Sequence, residues 1–266
     1  MTEPITNWHP LLLYPGTIPG ILAGTVTMTH RVMNPQPWVN TVGQWLWERR
    51  PGEHIAFHPS LNPDHYGAAA VHLAHVCPWG KPGDGLWGRE AWRAARTKHG
   101  RRPAILCEYK AMPDIGNVVL FQGNVLPDAR LLDGRWRPSI HMPRWACRIY
   151  RRVIGIKAER IQDISFRDWV ADAAPTGLEQ EKALATFTGA EYQRNHWRQL
   201  WDSIYAKPKA RYVRLNGPRV VDHYVSYPWG GEPETREHRG RPWIVVPNPW
   251  TWAITFELTD ERPSNA

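Results

Sequence analysis

The segment GTVTMTHRV, residues 24–32, holds the densest run of side chains that can bind a polar ligand. Thr27 and Thr29 lie two residues apart, and residues at that spacing in an extended strand project to the same face. Their hydroxyls can donate to, or accept from, the edge of a nucleobase. Arg31 follows at the same spacing, and its guanidinium can bind a phosphate or a guanine through two hydrogen bonds. The segment therefore indicates one wall of a binding site.

These residues also have a structural interpretation. Threonine is common in strands for its β-branched side chain alone. Arg31 can form an internal ion pair with Glu90 or Asp172. Glu90, in the segment GREAW, can accept a hydrogen bond from the exocyclic amine of a base, or it can serve only as an ion-pair partner. The residues by themselves leave both interpretations open.

A second group of candidates lies in the proline-bounded segment PSIHMPRW, residues 138–145. A hydroxyl, an imidazole, a guanidinium and an indole within one short loop are suited to the rim of a ligand site. A single histidine is more often structural than catalytic, so capping or core packing is its alternative. Trp92 is a further candidate as a stacking surface, with a core position as its alternative. The candidates in the loop are Ser139, His141, Arg144 and Trp145.

The spacing of cysteine and histidine predicts no metal site. Cys77, Cys107 and Cys147 form no CxxC pair, and HxH and HExxH are both absent, although such spacings are typical of metal ligands. We therefore expect no metal, no cofactor and no disulfide framework. Reduced cysteines favour the cytoplasm. The chain opens on no signal-peptide pattern, and no apolar window is long enough to span a membrane.

Composition favours an anionic partner. The 266-residue chain carries 33 Lys and Arg against 25 Asp and Glu, for a formal charge of +8, and a basic surface attracts nucleic acid. The alternative is a basic surface without a partner. The 16 tryptophans suit a core or stacking on bases. The stretch 148–160 is interpreted as a strand whose charges face solvent or follow a nucleic-acid backbone, with Ile149, Ile154 and Ile156 turned inward.

The elements that must position these residues are short, because 25 prolines and 21 glycines are spread along the chain. Frequent proline and glycine favour a β-rich fold with long loops. Strands are predicted at 11–14, 25–33, after the turn at 82–85, and at 104–111, 146–161 and 247–258. Helices are predicted at 17–23, 164–174 and 190–206, and at 42–50 within the otherwise loop-like region 34–76. The stretch 208–243 is expected to be an insertion or a hairpin.

Helices placed before a closing strand indicate an α+β fold, a small β-barrel with helices packed across one side. Ser165, three residues before Asp168, is predicted to cap the helix at 164–174. The whole chain, 1–266, is interpreted as a single domain.

Six segments in this order resemble the ASCH-domain proteins of bacteriophages and prophages, which belong to the PUA-like superfamily. The segments are ILAGTVTMTHRVMNPQPW, CPWGKPGDGLWGREAW, WRPSIHMPRWACRI, RIQDISFRDWVADA, RQLWDSIY and NPWTWAITFEL. The resemblance covers residues 11–258 apart from loop insertions at 39–75 and 207–246. It implies a PUA-like barrel, a cleft between barrel and helices, and RNA or another nucleic acid or nucleotide as ligand. It also implies the cytoplasm of a phage host.

The resemblance assigns roles at individual positions. The family segment reads Gly-(Arg/Lys)-Lys-Thr-x-Thr-x-Arg; the threonines and the arginine match at Thr27, Thr29 and Arg31, whereas Val26 stands at the lysine. A small bacterial member hydrolyses the amide of acetylated cytidine and is thought to use a Lys, a Thr and a Glu. The catalytic threonine corresponds to Thr29, and the glutamate falls near Asp172. Since valine can neither activate a hydroxyl nor hold an oxyanion, binding is favoured over catalysis.

The leading hypothesis from the sequence is therefore a protein that binds RNA, another single-stranded nucleic acid or a nucleotide. The first alternative is an amidohydrolase or a nuclease that acts on modified nucleosides or RNA, with Thr29 and Asp172 as its catalytic residues. The second alternative is a phage assembly or interaction protein. The sequence predicts no particular protein partner.

Overall fold

The computed structural model describes residues 3–39, 41–42, 45–50, 53–57, 77–99, 102–112, 118–121, 128–173, 187–214 and 219–263. The fold is α+β, with strands in four sheets and few helices. The chain forms two compact units. The first comprises Met1–Thr27, Cys77–Gly155 and Thr255–Ala266, and the second comprises Met28–Val76 and Ile156–Ile254.

Numbered along the chain, the strands are β1 (Trp8–Leu12), β2 (Met28–Val32), β3 (Trp38–Val39), β4 (Trp45–Arg50), β5 (Glu53–Phe57), β6 (Gly85–Arg89), β7 (Trp92–His99), β8 (Arg102–Tyr109), β9 (Val118–Phe121), β10 (Tyr150–Arg160), β11 (Lys209–Arg214), β12 (Arg219–Ser226), β13 (Glu234–His238), β14 (Arg241–Val245) and β15 (Trp250–Leu258). The α-helices are α1 (Ile18–Ala23), α2 (Phe166–Ala173) and α3 (Phe187–Tyr205). Strands β10 and β15 each contribute residues to both units.

The first unit combines two sheets around an aromatic core. Strand β1 runs parallel to β6, and β6 pairs antiparallel with the start of β10. Strands β7, β8 and β9 form an antiparallel sheet. The phenol of Tyr109 donates to the carbonyl oxygen of Ala146 at 2.7 Å, so this buried hydroxyl is satisfied. The core residues are Trp87, Trp92, Ala94, Ile105, Cys107, Tyr109, Met142, Ala146, Cys147 and Tyr150.

Gly88 permits a close approach at the centre of the first unit. A Cβ atom at this position would lie 2.6 Å from Leu13 Cδ1 and 3.0 Å from Ile149 Cβ. The Gly88 amide also donates to the carbonyl oxygen of Ile149 at 2.8 Å, so the two backbones cannot separate without losing a hydrogen bond. Only glycine fits this crossing without displacing its neighbours.

We expect Gly88→Ala to lower the free energy of unfolding by about 1–3 kcal/mol, the usual cost of overpacking a core. Gly155→Ala is the matched control, because its Cβ would meet Thr255 at 3.6 Å, an ordinary contact. Urea unfolding followed by tryptophan fluorescence measures both variants. Equal losses in the two variants would contradict the close approach at Gly88.

The second unit contains three sheets and the two longer helices. One of the four sheets has five strands, β1, β2, β6, β10 and β15, and is counted in both units. In the second unit its order is β10-β15-β2, and the amide of Met33 donates to the carbonyl oxygen of Trp250 at 2.9 Å. Strands β3, β4 and β5 pair antiparallel, and β11-β12-β14-β13 form a four-stranded sheet. Beneath helices α2 and α3 lies a tryptophan-rich core. Its buried residues are Ile161, Ile164, Trp169, Trp197 and Trp201.

Three helical predictions are confirmed. Helix α1 ends at Ala23, and Gly24 follows in the left-handed conformation at φ 76° that commonly terminates helices. Helix α2 begins after Ser165, whose hydroxyl accepts a hydrogen bond from the Asp168 amide at 3.2 Å, as the capping pattern predicts. The helix predicted at 190–206 is α3, which starts three residues earlier and ends one residue earlier.

The helix predicted at 42–50 is wrong. Residues 45–50 form strand β4, which pairs with β3 and β5. Trp47 is buried, its indole N–H donates to the carbonyl oxygen of Pro35 at 2.9 Å, and its ring packs edge-to-face on Trp252. Cross-strand pairing and indole burial therefore outweigh the local helical pattern.

The remaining differences concern sheets. The stretch 208–243 contributes β11 to β14 of a four-stranded sheet rather than a single hairpin. Over the described residues each of the four sheets has an open strand order, so the closed β-barrel expected from the sequence is absent from this part of the chain. The strand at 146–161 is β10, which begins at residue 150 after two 3-10 turns.

The expected alternation along 148–160 is also wrong in part. Arg151 and Arg152 are buried and Ile154 is exposed, whereas the sequence favoured exposed charges and buried isoleucines. The physical reason is that each buried guanidinium has hydrogen-bond acceptors beside it. The guanidinium of Arg152 pairs with the carboxylate of Glu261, and that of Arg151 donates to backbone carbonyls, including that of Tyr150.

Candidate functional site

Strand β2 presents two different faces. His30 and Met28 are buried, whereas Thr29 and Arg31 are half-buried on the other face. Thr27 precedes the strand, belongs to the first unit and is half-buried, and its carbonyl oxygen accepts from the Phe256 amide at 2.8 Å. The buried face of the strand therefore carries a histidine in the place of an apolar residue.

His30 lies between two carboxylates. Its Nδ1 is 2.7 Å from Asp172 Oδ2, and its Nε2 is 3.2 Å from Glu159 Oε1. The backbone N–H of His30 donates to the same Asp172 oxygen at 3.0 Å. Strand β2 supplies the histidine, α2 supplies Asp172 and β10 supplies Glu159. Three elements of the second unit thus meet at one imidazole.

This geometry fixes the charge of His30. A carboxylate can only accept hydrogen bonds, so both ring nitrogens must carry hydrogens, as in imidazolium. Burial alone would lower the pKa of His30, but the hydrogen bonds and charges of Asp172 and Glu159 raise it from 6.5 to about 9. His30 is therefore a cation at neutral pH although its side chain is fully buried.

Lys157 extends the arrangement toward solvent. Its Nζ lies 3.1 Å from Glu159 Oε1 and 2.7 Å from Asp168 Oδ2. Burial would lower the pKa of Lys157, but the two carboxylates raise it; burial would raise the pKa of Asp168, but Lys157 lowers it. We call Asp172, His30, Glu159, Lys157 and Asp168 the His30 cluster. Three carboxylates against two cations give it a net charge of −1.

Within the His30 cluster, solvent exposure increases from His30 through Glu159 to Lys157. The exposed fraction of the side chain is 0% for His30, 15% for Glu159 and 35% for Lys157. Within the described residues, nothing donates a hydrogen bond to Glu159 Oε2 or Asp172 Oδ1. The ring of Trp197 packs edge-to-face on His30 at 5.9 Å and closes the inner side. Each of these two oxygens therefore keeps the capacity to accept a hydrogen bond, although Asp172 is buried, with 11% of its side chain exposed.

The chemistry of these groups favours a ligand that donates hydrogen bonds. Carboxylates accept from amines and amides, and Lys157 can donate to a carbonyl or a phosphate. The net negative charge disfavours a phosphate at the centre of the cluster. Over the described part of the chain, no group of three or more His, Cys, Asp or Glu is arranged to hold a metal ion.

Glu90 forms a sealed ion pair in the first unit. Both of its carboxylate oxygens accept from Arg148 at 2.8 Å, and the two side chains are 1% and 3% exposed. The guanidinium of Arg148 also lies 4.0 Å from the ring centroid of Tyr109. Burial raises the pKa of Glu90 while Arg148 opposes that rise. The ion pair considered between Glu90 and Arg31 is therefore made with Arg148 instead.

The other candidates of the first unit lie around the loop 138–145. Trp92 is fully buried and meets Trp145 edge-to-face at 5.5 Å. The carbonyl oxygen of Ser139 accepts from Arg89 Nε at 3.1 Å, and the Arg144 guanidinium lies 6.0 Å from the Trp87 ring centroid. His141 is exposed, and Arg144 and Trp145 are half-buried. Among these candidates, only the loop residues are accessible to a ligand.

The structure does not join Thr29 to Asp172. Neighbouring residues in a strand project to opposite faces, and Asp172 contacts the side chain and backbone of His30. Thr29 therefore projects away from the carboxylate with which it was paired as a catalytic residue. Likewise, Asp172 bonds His30 rather than making the ion pair considered with Arg31.

Four members of the His30 cluster, His30 itself among them, were not predicted as site residues. Lys157 and Glu159 were interpreted as part of a solvated basic strand, and Asp168 only as a helix-cap partner. Two patterns were available in the sequence. Residues 157 and 159 share a strand face, and Asp168 and Asp172 are four apart on one helix face. Their convergence on His30 is a long-range property that neither pattern contains.

No protein-family model, curated protein or solved structure matches this chain. Of the helices that the structure describes, none has the length and apolar character needed to cross a bilayer.

We expect Glu90→Ala to lower the free energy of unfolding by about 3–5 kcal/mol, because it leaves the buried Arg148 charge without its carboxylate. Glu108→Ala is the matched control, since Glu108 pairs with Arg93 where both side chains are partly exposed, and such pairs contribute about 1 kcal/mol or less. Urea unfolding measures both. Similar small losses would contradict a sealed pair at Glu90.

We expect the stability of the protein to fall as pH rises above neutrality. The pKa of His30 is raised to about 9 in the folded state, so its stabilising contribution is complete below pH 6.5 and is lost as pH rises through about 9. Between those values the free energy of unfolding should fall by up to about 1.4 kcal/mol per pH unit. His30→Gln should remove this part of the slope. Identical pH slopes in the two proteins would contradict the assignment.

Proposed function

We propose that this chain is an ASCH-type protein of the PUA-like superfamily that binds RNA, or more broadly a nucleic acid or nucleotide, by accepting a base at the His30 cluster. The observation that carries the proposal is that Glu159 Oε2 and Asp172 Oδ1 accept no hydrogen bond from the described residues, while the other oxygen of each carboxylate binds the buried imidazolium. The resemblance of residues 24–31, which overlap β2, to the family segment and the formal charge of +8 support the same proposal.

Burying charged groups costs desolvation free energy, so a cluster of this kind adds little to stability by itself. Apolar residues of similar volume often stabilise a protein as well as a buried ion pair does, or better. Perturbed titratable groups gathered beside solvent are more typical of functional sites than of cores. The partly exposed Lys157 distinguishes the His30 cluster from the sealed pair of Glu90 and Arg148, whose side chains are both almost fully buried.

The oxygens of Glu159 and Asp172 suit the exocyclic amines of bases. Carboxylates accept hydrogen bonds from the N4 amine of cytosine in protein–nucleic acid complexes, and adenine and guanine carry comparable donors. Single-stranded RNA exposes these edges because its bases can be turned out of a stack. Lys157 is placed to donate to a base carbonyl or a neighbouring phosphate. The positive charge elsewhere on the chain then attracts the backbone.

The hydrolase alternative is less well supported. It requires a nucleophile that the carboxylate of Asp172 can activate, and the alternation of β2 directs Thr29 away from that carboxylate. Incubation with N4-acetylcytidine tests it directly, since release of cytidine, abolished by Thr29→Ala, would favour hydrolysis over binding. A stable protein complex with no affinity for nucleosides or nucleic acid would favour an interaction protein.

We expect Glu159→Gln to weaken the binding of cytidine, adenosine and guanosine about tenfold, because a base amine loses its charged acceptor. Uridine, which has no exocyclic amine, should bind weakly to both proteins. Isothermal titration with the four nucleosides measures this. Glu257→Gln is the control, since it removes the same charge from an exposed residue of β15. Equal affinity for cytidine and uridine, or no binding of any nucleoside, would contradict the proposal.

A further inference from the structure

An exposed tryptophan stands on the surface of the first unit. Trp136 is 40% exposed, and the guanidinium of Arg93 lies 4.8 Å from its ring centroid. Arg93 is held in turn by Glu108 through two hydrogen bonds of 2.8 and 2.9 Å. The indole therefore contacts a guanidinium that is held in place by Glu108, and a large part of its surface remains exposed to solvent.

The backbone that carries Trp136 is tied to strand β7. The amide of Arg137 donates to the carbonyl oxygen of Trp92 at 2.8 Å, and the Trp92 amide donates back to Arg137 at 3.1 Å. A second bridge joins Asp133 to Ala95. Trp136 lies between these two attachments. Its backbone is therefore already ordered, and little further conformational entropy is lost when a ligand binds.

Cationic side chains accompany the ring. The side chains of Arg130 and Arg135 are 89% and 86% exposed. Each is near an aspartate, Asp128 at 2.8 Å and Asp133 at 3.7 Å, but exposed pairs of this kind are weak and are readily exchanged. The Arg130 carbonyl oxygen accepts from Arg137 at 2.7 Å, which keeps this part of the loop beside the Trp136 segment.

We propose that Trp136, Arg93, Arg130 and Arg135, together the Trp136 platform, form a contact surface for single-stranded nucleic acid. A base stacks on the exposed part of the indole, and the phosphates of the strand pair with Arg130 and Arg135. Stacking of this type accepts any base, because every base has a π-face. The inference rests on the proposed function and extends it, since it adds a second contact surface, one that accepts any base.

The test uses labelled oligouridine and oligothymidine, which lack the exocyclic amines proposed to bind Glu159 and Asp172. Fluorescence anisotropy of the full chain should show Trp136→Ala weakening both strands about tenfold, with Trp136→Phe retaining most of the affinity. Trp38→Ala is the control, because Trp38 is 37% exposed but lies in the second unit. Arg135→Ala should reduce the salt dependence of binding by about one phosphate contact.

The outcomes separate the two proposals. Equal binding by the wild type and Trp136→Ala, or no binding of either strand at low salt, would overturn the Trp136 platform. Cytidine binding that depends on Glu159 would survive that result. Conversely, oligouridine binding that requires Trp136, in a protein that binds no nucleoside, supports the platform and removes the base site at the His30 cluster. Affinity for the single strands but not for duplexes is the expected result.

Discussion

The second unit depends on a positively charged imidazole held between two carboxylates. His30 comes from β2, Asp172 from α2 and Glu159 from β10, so a single ring fixes how a strand, a helix and a second strand approach one another. A buried charge is tolerated only where its partners are placed well. The hydrogen-bond geometry around His30 therefore constrains the backbone of all three elements and the positions of both carboxylates.

The two units use buried charge in different ways. In the first unit, Glu90 and Arg148 satisfy each other in two hydrogen bonds and are closed off from water. In the second, Glu159 and Asp172 each bind His30 through one oxygen, and the other oxygen of each accepts no hydrogen bond from the described residues. Both arrangements order a core, but only the second leaves hydrogen-bonding capacity for another molecule. This contrast, rather than the presence of charged residues, locates the candidate site.

Local patterns predicted local structure well and long-range assembly poorly. Gly24 after α1 and Ser165 before α2 are short-range devices, and both are found where the sequence places them. The helix predicted at 42–50 is wrong because the burial of Trp47 depends on its contact with Trp252, some two hundred residues away. His30 was not predicted as a site residue for the same reason. Its neighbours in sequence favoured a threonine-lined site, whereas its partners arrive from residues that only the folded chain brings together.

The paired contacts of Asp172 have a consequence for how this protein can vary. One carboxylate oxygen holds both the backbone and the ring of His30, while Glu159 holds the opposite nitrogen. Loss of the histidine alone would leave two carboxylates facing each other, and loss of either carboxylate would leave the buried imidazolium with a single anionic partner. The three positions therefore contribute to stability as a unit, so a substitution at one of them should change the cost of a substitution at another.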